Sequence, residues 1–474
     1  MHKIIMACAL GASVLLGACG GGGGSDGSPA VANVPATGGK SSSGTNNASN
    51  QGTSGGSSGN SGTSDSGSVA PPTPTTNGDD SGGGTNGSTD AGSGTTPSGS
   101  DTSGGGTPAD IGNTIPVLVS PVTVVRNFPL VSVTICQPGS GGKTNCATID
   151  HVLLDTGSFG LRLFASVIPD ATLAALPVQT DPVTGRNVAA YANFGSGYTW
   201  GGLRTADVKM SAEVAASVPI QVIGDTAVSA AAPQSCVYNT ALPGPDMLGA
   251  NGILGVGVAR YDCGAACAGT TPVPGYYYAD GARPRPISMP LANQVANPVA
   301  LFPVDNNGLI VDMPAVDANG APTASGTVTF GIGTQSNNRL AGTGTTVLAT
   351  DGWGNFKGSM SGDNAVQAFV DSGTNTLMFD DAAITQNSFL FYAPPATLKR
   401  TASLTDARGE SVKVDVAIAN ADALFGTNNF AFNNLGAYLA QTVDLGMPFF
   451  YGKRVYYGID AGEAALPYVA WIAP

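Results

Sequence analysis

The feature that most constrains the fold of this chain is a motif that occurs twice. Residues 154–158 read Leu-Asp-Thr-Gly-Ser, and residues 370–374 read Val-Asp-Ser-Gly-Thr. Each copy ends one apolar run and leads into another, and a leucine follows each aspartate by six positions, at Leu161 and Leu377. Two copies of one supersecondary unit predict two lobes, each of which supplies one carboxylate.

The pattern from residue 114 onward is typical of a mostly β protein. Short β-branched and aromatic runs alternate there with Gly, Pro and Asn. Helices should be few and short, and residues 290–295 and 430–439 are the best candidates. The segment is long enough for two lobes with sizeable cores. We expect an N-terminal lobe over 114–312, with the first Asp motif, and a C-terminal lobe over 313–474, with the second.

The N-terminus predicts export and lipidation. Residues 1–18 combine Lys3 with an apolar run that is too short to span a bilayer, which is typical of a secretory signal. Residues 16–19 read Leu-Gly-Ala-Cys, like a bacterial lipobox, so Cys19 is the expected lipid attachment point. The alternative is an ordinary signal peptide that is cleaved elsewhere nearby. No acidic residue follows Cys19 directly, which favours the outer membrane of a bacterial cell envelope.

Composition separates a tether from the folded part. Residues 19–113 are rich in Gly, Ser and Thr and cannot bury enough apolar surface to offset their conformational entropy, so we expect a disordered tether. The net charge is −13 and Lys and Arg do not cluster, which argues against a nucleic-acid partner. Because anionic lipid headgroups would repel so acidic a protein, the lipid on Cys19 is the expected membrane attachment.

Five cysteines follow Cys19. Cys136 and Cys146 bracket a turn-rich loop and form the favoured disulfide. The pairing of Cys236, Cys263 and Cys267 stays open, with one thiol left over. The Cys-x-x-x-Cys spacing at 263–267 lacks the second ligand pair that a zinc site needs, so neither a metal nor a cofactor is expected.

The order of motifs resembles that of the pepsin family of aspartic peptidases. The resemblance covers nearly all of residues 116–474 and implies a bilobal fold, a pseudo-twofold axis and an active-site cleft between the lobes. The plan is also similar to that of a bacterial lipoprotein family of unassigned function. The segments that carry the resemblance, in chain order, are 154–158, 191–201, 251–257, 326–331, 370–374 and 445–457.

The resemblance implies that Asp155 and Asp371 hydrolyse peptide bonds. Two adjacent carboxylates cannot both ionise, so the pair holds one proton and titrates as a unit. One carboxyl takes a proton from an attacking water while the other donates to the developing oxyanion. Glycines allow close approach of the two loops, one hydroxyl from each loop links the lobes, and another orients each carboxylate. These supporting residues are Thr156, Gly157, Ser158, Ser372, Gly373 and Thr374.

A hairpin at 191–201 resembles the family's flap, but Phe194 stands where the family has tyrosine. Another aromatic residue of the hairpin could replace that hydroxyl, and the alternative is an ordinary surface hairpin with aromatic cross-strand pairs. The expected flap and substrate-binding residues are Tyr191, Phe194, Gly195, Ser196, Gly197, Tyr198 and Trp200.

Two further departures follow the first motif, where Gly160 and Arg162 replace the family's asparagine and tryptophan. Strand alternation places Arg162 opposite Leu161 and Leu163, and we expect it to point to solvent.

Three other functions are compatible with parts of this sequence pattern. A catalytically inactive module with the same fold would bind peptide or another envelope component instead of cleaving it. A glycosidase also uses two carboxylates, but paired Asp-x-Gly turns are not typical of that class. A Ser-His-Asp hydrolase would need His151 and a nucleophile elbow that the chain lacks. The expected partner is a peptide or protein substrate, and the sequence does not determine the oligomeric state.

Overall fold

The computed structural model describes residues 112–233, 240–362 and 365–473. The expected signal peptide, Cys19, Cys236 and nearly all of the tether lie outside the described residues.

The described chain is mostly β, as the sequence predicts. The strands are β1 Thr114–Val119, β2 Leu130–Cys136, β3 Ala147–Asp155, β4 Phe159–Phe164, β5 Val188–Phe194, β6 Gly197–Met210, β7 Glu213–Ile223, β8 Gly252–Val256, β9 Tyr277–Ala279, β10 Arg285–Pro286, β11 Gly308–Met313, β12 Ala324–Phe330, β13 Thr346–Ala349, β14 Phe356–Met360, β15 Val366–Val370, β16 Leu377–Phe379, β17 Leu398–Thr405, β18 Ser411–Ile418, β19 Gly436–Tyr438, β20 Thr442–Leu445, β21 Lys453–Gly458 and β22 Tyr468–Ile472.

Helices are short throughout the described residues. The α-helices are α1 Asp170–Ala175, α2 Pro245–Leu248, α3 Ala265–Ala268, α4 Ala421–Phe425 and α5 Met447–Phe450, and 3₁₀ turns cover Ala165–Val167, Leu291–Asn293, Pro298–Leu301 and Gly462–Ala464.

The two helices predicted from sequence are not found. Residues 290–295 contain only the 3₁₀ turn Leu291–Asn293, and residues 430–439 contain strand β19. The second prediction was wrong because side chains hold this segment against another loop. Asn433 and Asn434 donate to the carbonyl oxygens of Val316 and Ala318 at 2.6 and 2.8 Å, contacts that a local helix pattern does not reveal.

The strands form two sheets. The larger sheet has the order β10-β9-β5-β6-β7-β4-β8-β3-β2-β1-β12-β11-β21-β22-β13, and the smaller has the order β18-β17-β14-β15-β20-β16-β19.

The two Asp motifs lie in copies of one topology. In the first repeat, β3 runs parallel to β8, β8 runs antiparallel to β4, and β4 runs parallel to β7. In the second repeat, β15, β20, β16 and β19 pair in the same order and with the same directions. Asp155 pairs with Gly255, and the pairing of Val370 with Leu445 places Asp371 beside Gly446. The sequence repeat is therefore also a repeat of strand order and register.

The two halves of the chain share the larger sheet. Strand β1 pairs with β12 over six residues, and β11 pairs with both β12 and β21. The predicted division between residues 312 and 313 falls inside β11. One large apolar cluster contains residues from both halves, including Val117, Leu154 and Leu445.

Two disulfides are present among the described residues. The predicted bond between Cys136 and Cys146 is confirmed, and Cys263 bonds to Cys267, which is one of the pairings left open by the sequence. Among the described helices, none combines the length and hydropathy needed to cross a membrane.

Candidate active site

The two repeats bring Asp155 and Asp371 together. Asp155 is the last residue of β3, and Asp371 directly follows β15. Their carboxyl groups lie within hydrogen-bonding reach of each other. Asp155 is 1% exposed and Asp371 is 0% exposed, so both residues are almost completely buried. The structure therefore places two carboxyls, 216 residues apart in sequence, in one buried site.

Glycine after each aspartate makes this approach possible. A Cβ atom on Gly157 would lie 2.6 Å from Cγ of Asp371, and one on Gly373 would lie 2.5 Å from Oδ1 of Asp155. Cβ atoms in proteins do not come that close to other heavy atoms. Neither glycine has a positive φ, so the requirement is for space rather than for a special backbone conformation.

Each carboxylate accepts the same pair of hydrogen bonds from its own loop. Asp155 accepts from the Gly157 backbone N–H at 2.9 Å and from Ser158 Oγ at 2.6 Å. Asp371 accepts from the Gly373 backbone N–H at 2.7 Å and from Thr374 Oγ1 at 2.9 Å. These matched donors fix the orientation of both carboxyl groups in the same way.

Thr156 and Ser372 link the two loops across the site. The backbone N–H of each residue donates to the hydroxyl oxygen of the other, at 3.2 and 2.9 Å. Ser372 Oγ then donates directly to the Leu154 carbonyl oxygen at 2.7 Å. The link on the other side is longer, because Thr156 Oγ1 donates to the Tyr457 hydroxyl at 3.0 Å and that hydroxyl donates to the Val370 carbonyl oxygen at 2.9 Å.

Tyr457 belongs to this site although the sequence does not predict it. It lies on β21, 301 residues after Thr156, and no local pattern connects the two. The only available signal was its place in the closing motif at 445–457.

Burial dominates the electrostatics of the pair. Desolvation raises the pKa of Asp155, although the hydrogen bonds from Ser158 and Gly157 oppose the change. Desolvation also raises the pKa of Asp371 well above its ordinary value, and the nearby charge of Asp155 adds to the increase. Because both effects disfavour two negative charges, they favour the state in which the pair shares one proton.

A third carboxyl, that of Asp444, lies close to the pair. Asp444 is on β20 and is 0% exposed, and neither of its carboxyl oxygens accepts a hydrogen bond within the described residues. Burial raises its pKa well above the ordinary value, and the charge of Asp155 acts in the same direction. In the sequence, Asp444 directly precedes the closing motif at 445–457, and no local pattern predicts a chemical role for it.

The hairpin predicted to be a flap is formed by β5 and β6. Phe194 pairs with Gly197, so Gly195 and Ser196 form the turn. Phe194 is 4% exposed and belongs to an apolar cluster that includes Leu153 and Ile253 from the first repeat. The hairpin is also held from the side, because the Tyr198 N–H donates to the Thr240 carbonyl oxygen at 2.9 Å.

The other aromatic residues of the hairpin lie on the opposite face from Phe194. Tyr191 and Tyr198 stack with their ring centroids 5.4 Å apart, and Trp200 packs edge-on against Tyr278 at 5.6 Å. Trp200 Nε1 donates to the Ala230 carbonyl oxygen at 2.7 Å. These side chains form a separate cluster and are not on the face that carries Phe194.

Arg162 does not point to solvent, so that prediction was wrong. It is 3% exposed and forms an ion pair with Asp262 at 2.9 Å. Its Nη1 donates to Gln221 Oε1 at 3.0 Å, and its guanidinium carbon lies 6.0 Å from the ring centroid of Phe194. Alternation along β4 did place Arg162 opposite Leu161 and Leu163. The face of β4 that carries Arg162 is not open to water, because both faces of this strand are covered.

The structure also explains the glycine at position 160. Gly160 has φ of +92°, and a Cβ atom there would lie 2.3 Å from Cγ1 of Val295. A larger side chain would be strained and would clash.

His151, the histidine of the rival hydrolase hypothesis, is exposed on β3. Among the described residues, no group of three or more His, Cys, Asp or Glu is arranged to hold a metal ion.

Comparison with known proteins gives one informative match. No curated protein matches the chain. The family model described as "Protein of unknown function (DUF3443)" matches residues 109–471, which include all of the site residues above. Because this match covers well over half of the sequence, the chain belongs to the DUF3443 family.

Proposed function

We propose that this protein is an aspartic-type endopeptidase with a bilobal, pepsin-like architecture and a cleft between its lobes. One observation supports the proposal most strongly. Two copies of one strand topology bring Asp155 and Asp371 within hydrogen-bonding reach, each with the same backbone and hydroxyl donors. The partner implied by this arrangement is a peptide or protein substrate.

The proposed chemistry follows from the shared proton. One carboxyl is ionised and takes a proton from a water molecule as that water attacks the peptide carbonyl carbon. The other carboxyl donates its proton to the oxygen on which negative charge develops. When this tetrahedral intermediate collapses, the C–N bond breaks, the carboxyl that took the water proton passes it to the leaving nitrogen, and the other carboxyl takes its proton back. The matched donors to Asp155 and Asp371 leave the roles interchangeable in principle, so the acid and base are assigned to the pair. Phe194 and its hairpin would cover the substrate and exclude water.

The proposed location is the bacterial outer membrane, with attachment through a lipid on Cys19. This part of the proposal rests on the lipobox-like residues 16–19. If it is correct, a Cys19→Ala variant will leave the membrane fraction after cell lysis, whereas wild type will remain there. Equal amounts of wild type and Cys19→Ala in the membrane fraction would show that Cys19 is not the membrane anchor.

The decisive experiment compares peptide cleavage by wild type with cleavage by Asp155→Asn and Asp371→Asn. A peptide library should be digested from acidic to neutral pH, and products identified by mass spectrometry. Each variant should lose at least about 1,000-fold in rate, because asparagine cannot share the proton. Asp317→Asn is a matched control, since Asp317 is exposed and lies outside the site. Cleavage that survives either dyad substitution would refute the assignment.

The second candidate function is peptide or ligand binding without catalysis. Two observations favour it: the near-complete burial of both carboxyls, and the phenylalanine in place of a flap tyrosine. A mimic of the tetrahedral transition state should bind wild type more tightly than either dyad variant if the pair is catalytic. Absence of cleavage at every pH, with equal affinity of all three proteins for the mimic, would favour the inactive binder.

A further inference from the structure

Asp444 is a buried acid that the packing of the fold does not require. It is the third residue of β20 and pairs with Phe369 on one side and Met378 on the other. The equivalent residue of the first repeat is Ile253 on β8, which is paired with Arg162. The shared topology therefore accepts an apolar side chain at this position, and an acid here needs another reason.

The surroundings of Asp444 favour its neutral form. Both carboxyl oxygens are buried, and neither accepts a hydrogen bond from any of the described residues. An ionised carboxylate in such a place lacks the hydrogen bonds that would offset its desolvation. The titratable groups that act on this region are Asp155, Asp371 and Tyr457, and none of them is cationic.

Thr374 lies between Asp444 and the dyad. The segment that follows Asp444 packs directly on Thr374: a Cβ atom on Gly446 would lie 3.0 Å from Thr374 Cγ2, and the Met447 N–H donates to the Thr374 carbonyl oxygen at 2.7 Å. The Thr374 hydroxyl has one hydrogen, which it donates to Asp371 Oδ2 at 2.9 Å. It therefore cannot also donate to Asp444, but its oxygen can accept a hydrogen bond.

We propose that Asp444 is a positioning residue for the dyad: its protonated carboxyl donates to Thr374 Oγ1, and this fixes the Thr374 hydroxyl as a donor to Asp371. The proposal rests on the proposed peptidase function. A chain of two hydrogen bonds polarises each member, which strengthens the bond that Asp371 accepts. Ser158, the counterpart of Thr374, has no such acid behind it because Ile253 occupies the equivalent position. The two aspartates of the symmetric pair thereby become distinguishable.

The test compares Asp444→Ile, which copies the first repeat, with Asp444→Asn, whose amide still donates to Thr374. Asp444→Ile should lower kcat about 10-fold, because it removes the hydrogen-bond donor to Thr374 Oγ1. Asp444→Asn should keep kcat within about 2-fold of wild type. Wild-type activity in Asp444→Ile, or equal losses in both variants, would overturn the proposal.

Infrared spectroscopy tests the proton separately from catalysis. At neutral pH, wild type should show a carbonyl band from a protonated carboxyl that disappears in Asp444→Asn and persists in Asp371→Asn. The same band should shift in Thr374→Val, which removes the hydrogen-bond acceptor. If wild type shows no peptidase activity, the proposed function fails, and the band then decides the Asp444–Thr374 link by itself. A spectrum unchanged by Asp444→Asn would contradict the inference in either case.

Discussion

The two repeats differ in their buried charge although their backbones follow one plan. In the first repeat, Arg162 on β4 pairs with Ile253 on β8. In the second repeat, the equivalent pair is Met378 on β16 and Asp444 on β20. The cation of the first repeat is neutralised by Asp262, whereas the acid of the second forms no ion pair with any of the described residues.

The shared backbone and the unequal buried charges therefore have different roles. The shared topology brings Asp155 and Asp371 together with matched donors, and that task needs symmetry. The buried charges then make the halves unequal. Arg162 connects β4 to the hairpin through Gln221, which also accepts from Thr199 Oγ1 at 2.8 Å. Asp444 acts on the dyad itself.

The largest expected effect comes from copying the second repeat into the first with Arg162→Met. Asp262 would remain buried without its cation, and loss of one partner of a buried pair costs about 3–5 kcal/mol. The free energy of unfolding, measured by urea denaturation, should fall by that amount. Arg400→Met is the control, since its ion pair with Asp381 is more exposed and should contribute about 1 kcal/mol or less. A loss below 1 kcal/mol for Arg162→Met would show that the buried charge pair is not important for stability.

The symmetry of the dyad can be tested with Gly157→Ala and Gly373→Ala. Each new methyl group would press on the carboxyl of the opposite aspartate, and a displacement of that kind costs about 100-fold in catalysis. The two variants should lose similar amounts of kcat/KM while circular dichroism shows that both stay folded. A tenfold or larger difference between them would mean that the two loops are not functionally equivalent.

The pH dependence of stability should reveal the additional proton of the second repeat. Asp155, Asp371 and Asp444 have raised pKa values, so the folded state binds protons more tightly than the unfolded state. Stability from these groups is complete below about pH 4 and is lost as pH rises through their folded pKa values. Each retained proton contributes about 1.4 kcal/mol per pH unit to that slope.

Asp444→Ile should therefore reduce the change in the free energy of unfolding with pH by about 1.4 kcal/mol per pH unit, which corresponds to one proton. Urea denaturation at several pH values above 4 measures this change. The contribution of Asp207 to stability has the opposite pH dependence and changes at lower pH. Its pKa is lowered by hydrogen bonds from Ser217 and three glycine N–H groups, despite partial desolvation, so its contribution is lost only as pH falls below 4. An unchanged slope would mean that Asp444 is ionised in the folded protein.

The smallest effect is expected from the link between the loops. Tyr457→Phe removes the hydroxyl that connects Thr156 to the Val370 carbonyl oxygen, and it should lower stability by about 1 kcal/mol. Ser372→Ala breaks the direct link on the other side and should cost a similar amount. Because both belong to one network, the double variant should deviate from additivity by more than about 0.5 kcal/mol. Strict additivity would show that the two links act independently.

Much of the site is readable from the sequence because its signals are local. The residues around each aspartate carry their own donors, so Gly157, Ser158, Gly373 and Thr374 lie where the motif predicts. The alternation of β4 was also predicted correctly. Whether a strand face is covered depends on distant segments, and this is why the position of Arg162 was predicted wrongly.

By itself, the sequence determined the mostly β fold class, the repeated element and the residue types of the two loops, since each of these follows from short-range spacing. Only the tertiary structure decided which polar groups are buried together. The hydrogen bond between Tyr457 and Thr156, and the packing of the segment after Asp444 on Thr374, join segments far apart along the chain. The energy of a buried charge depends on every group packed around it, and no local pattern contains that information.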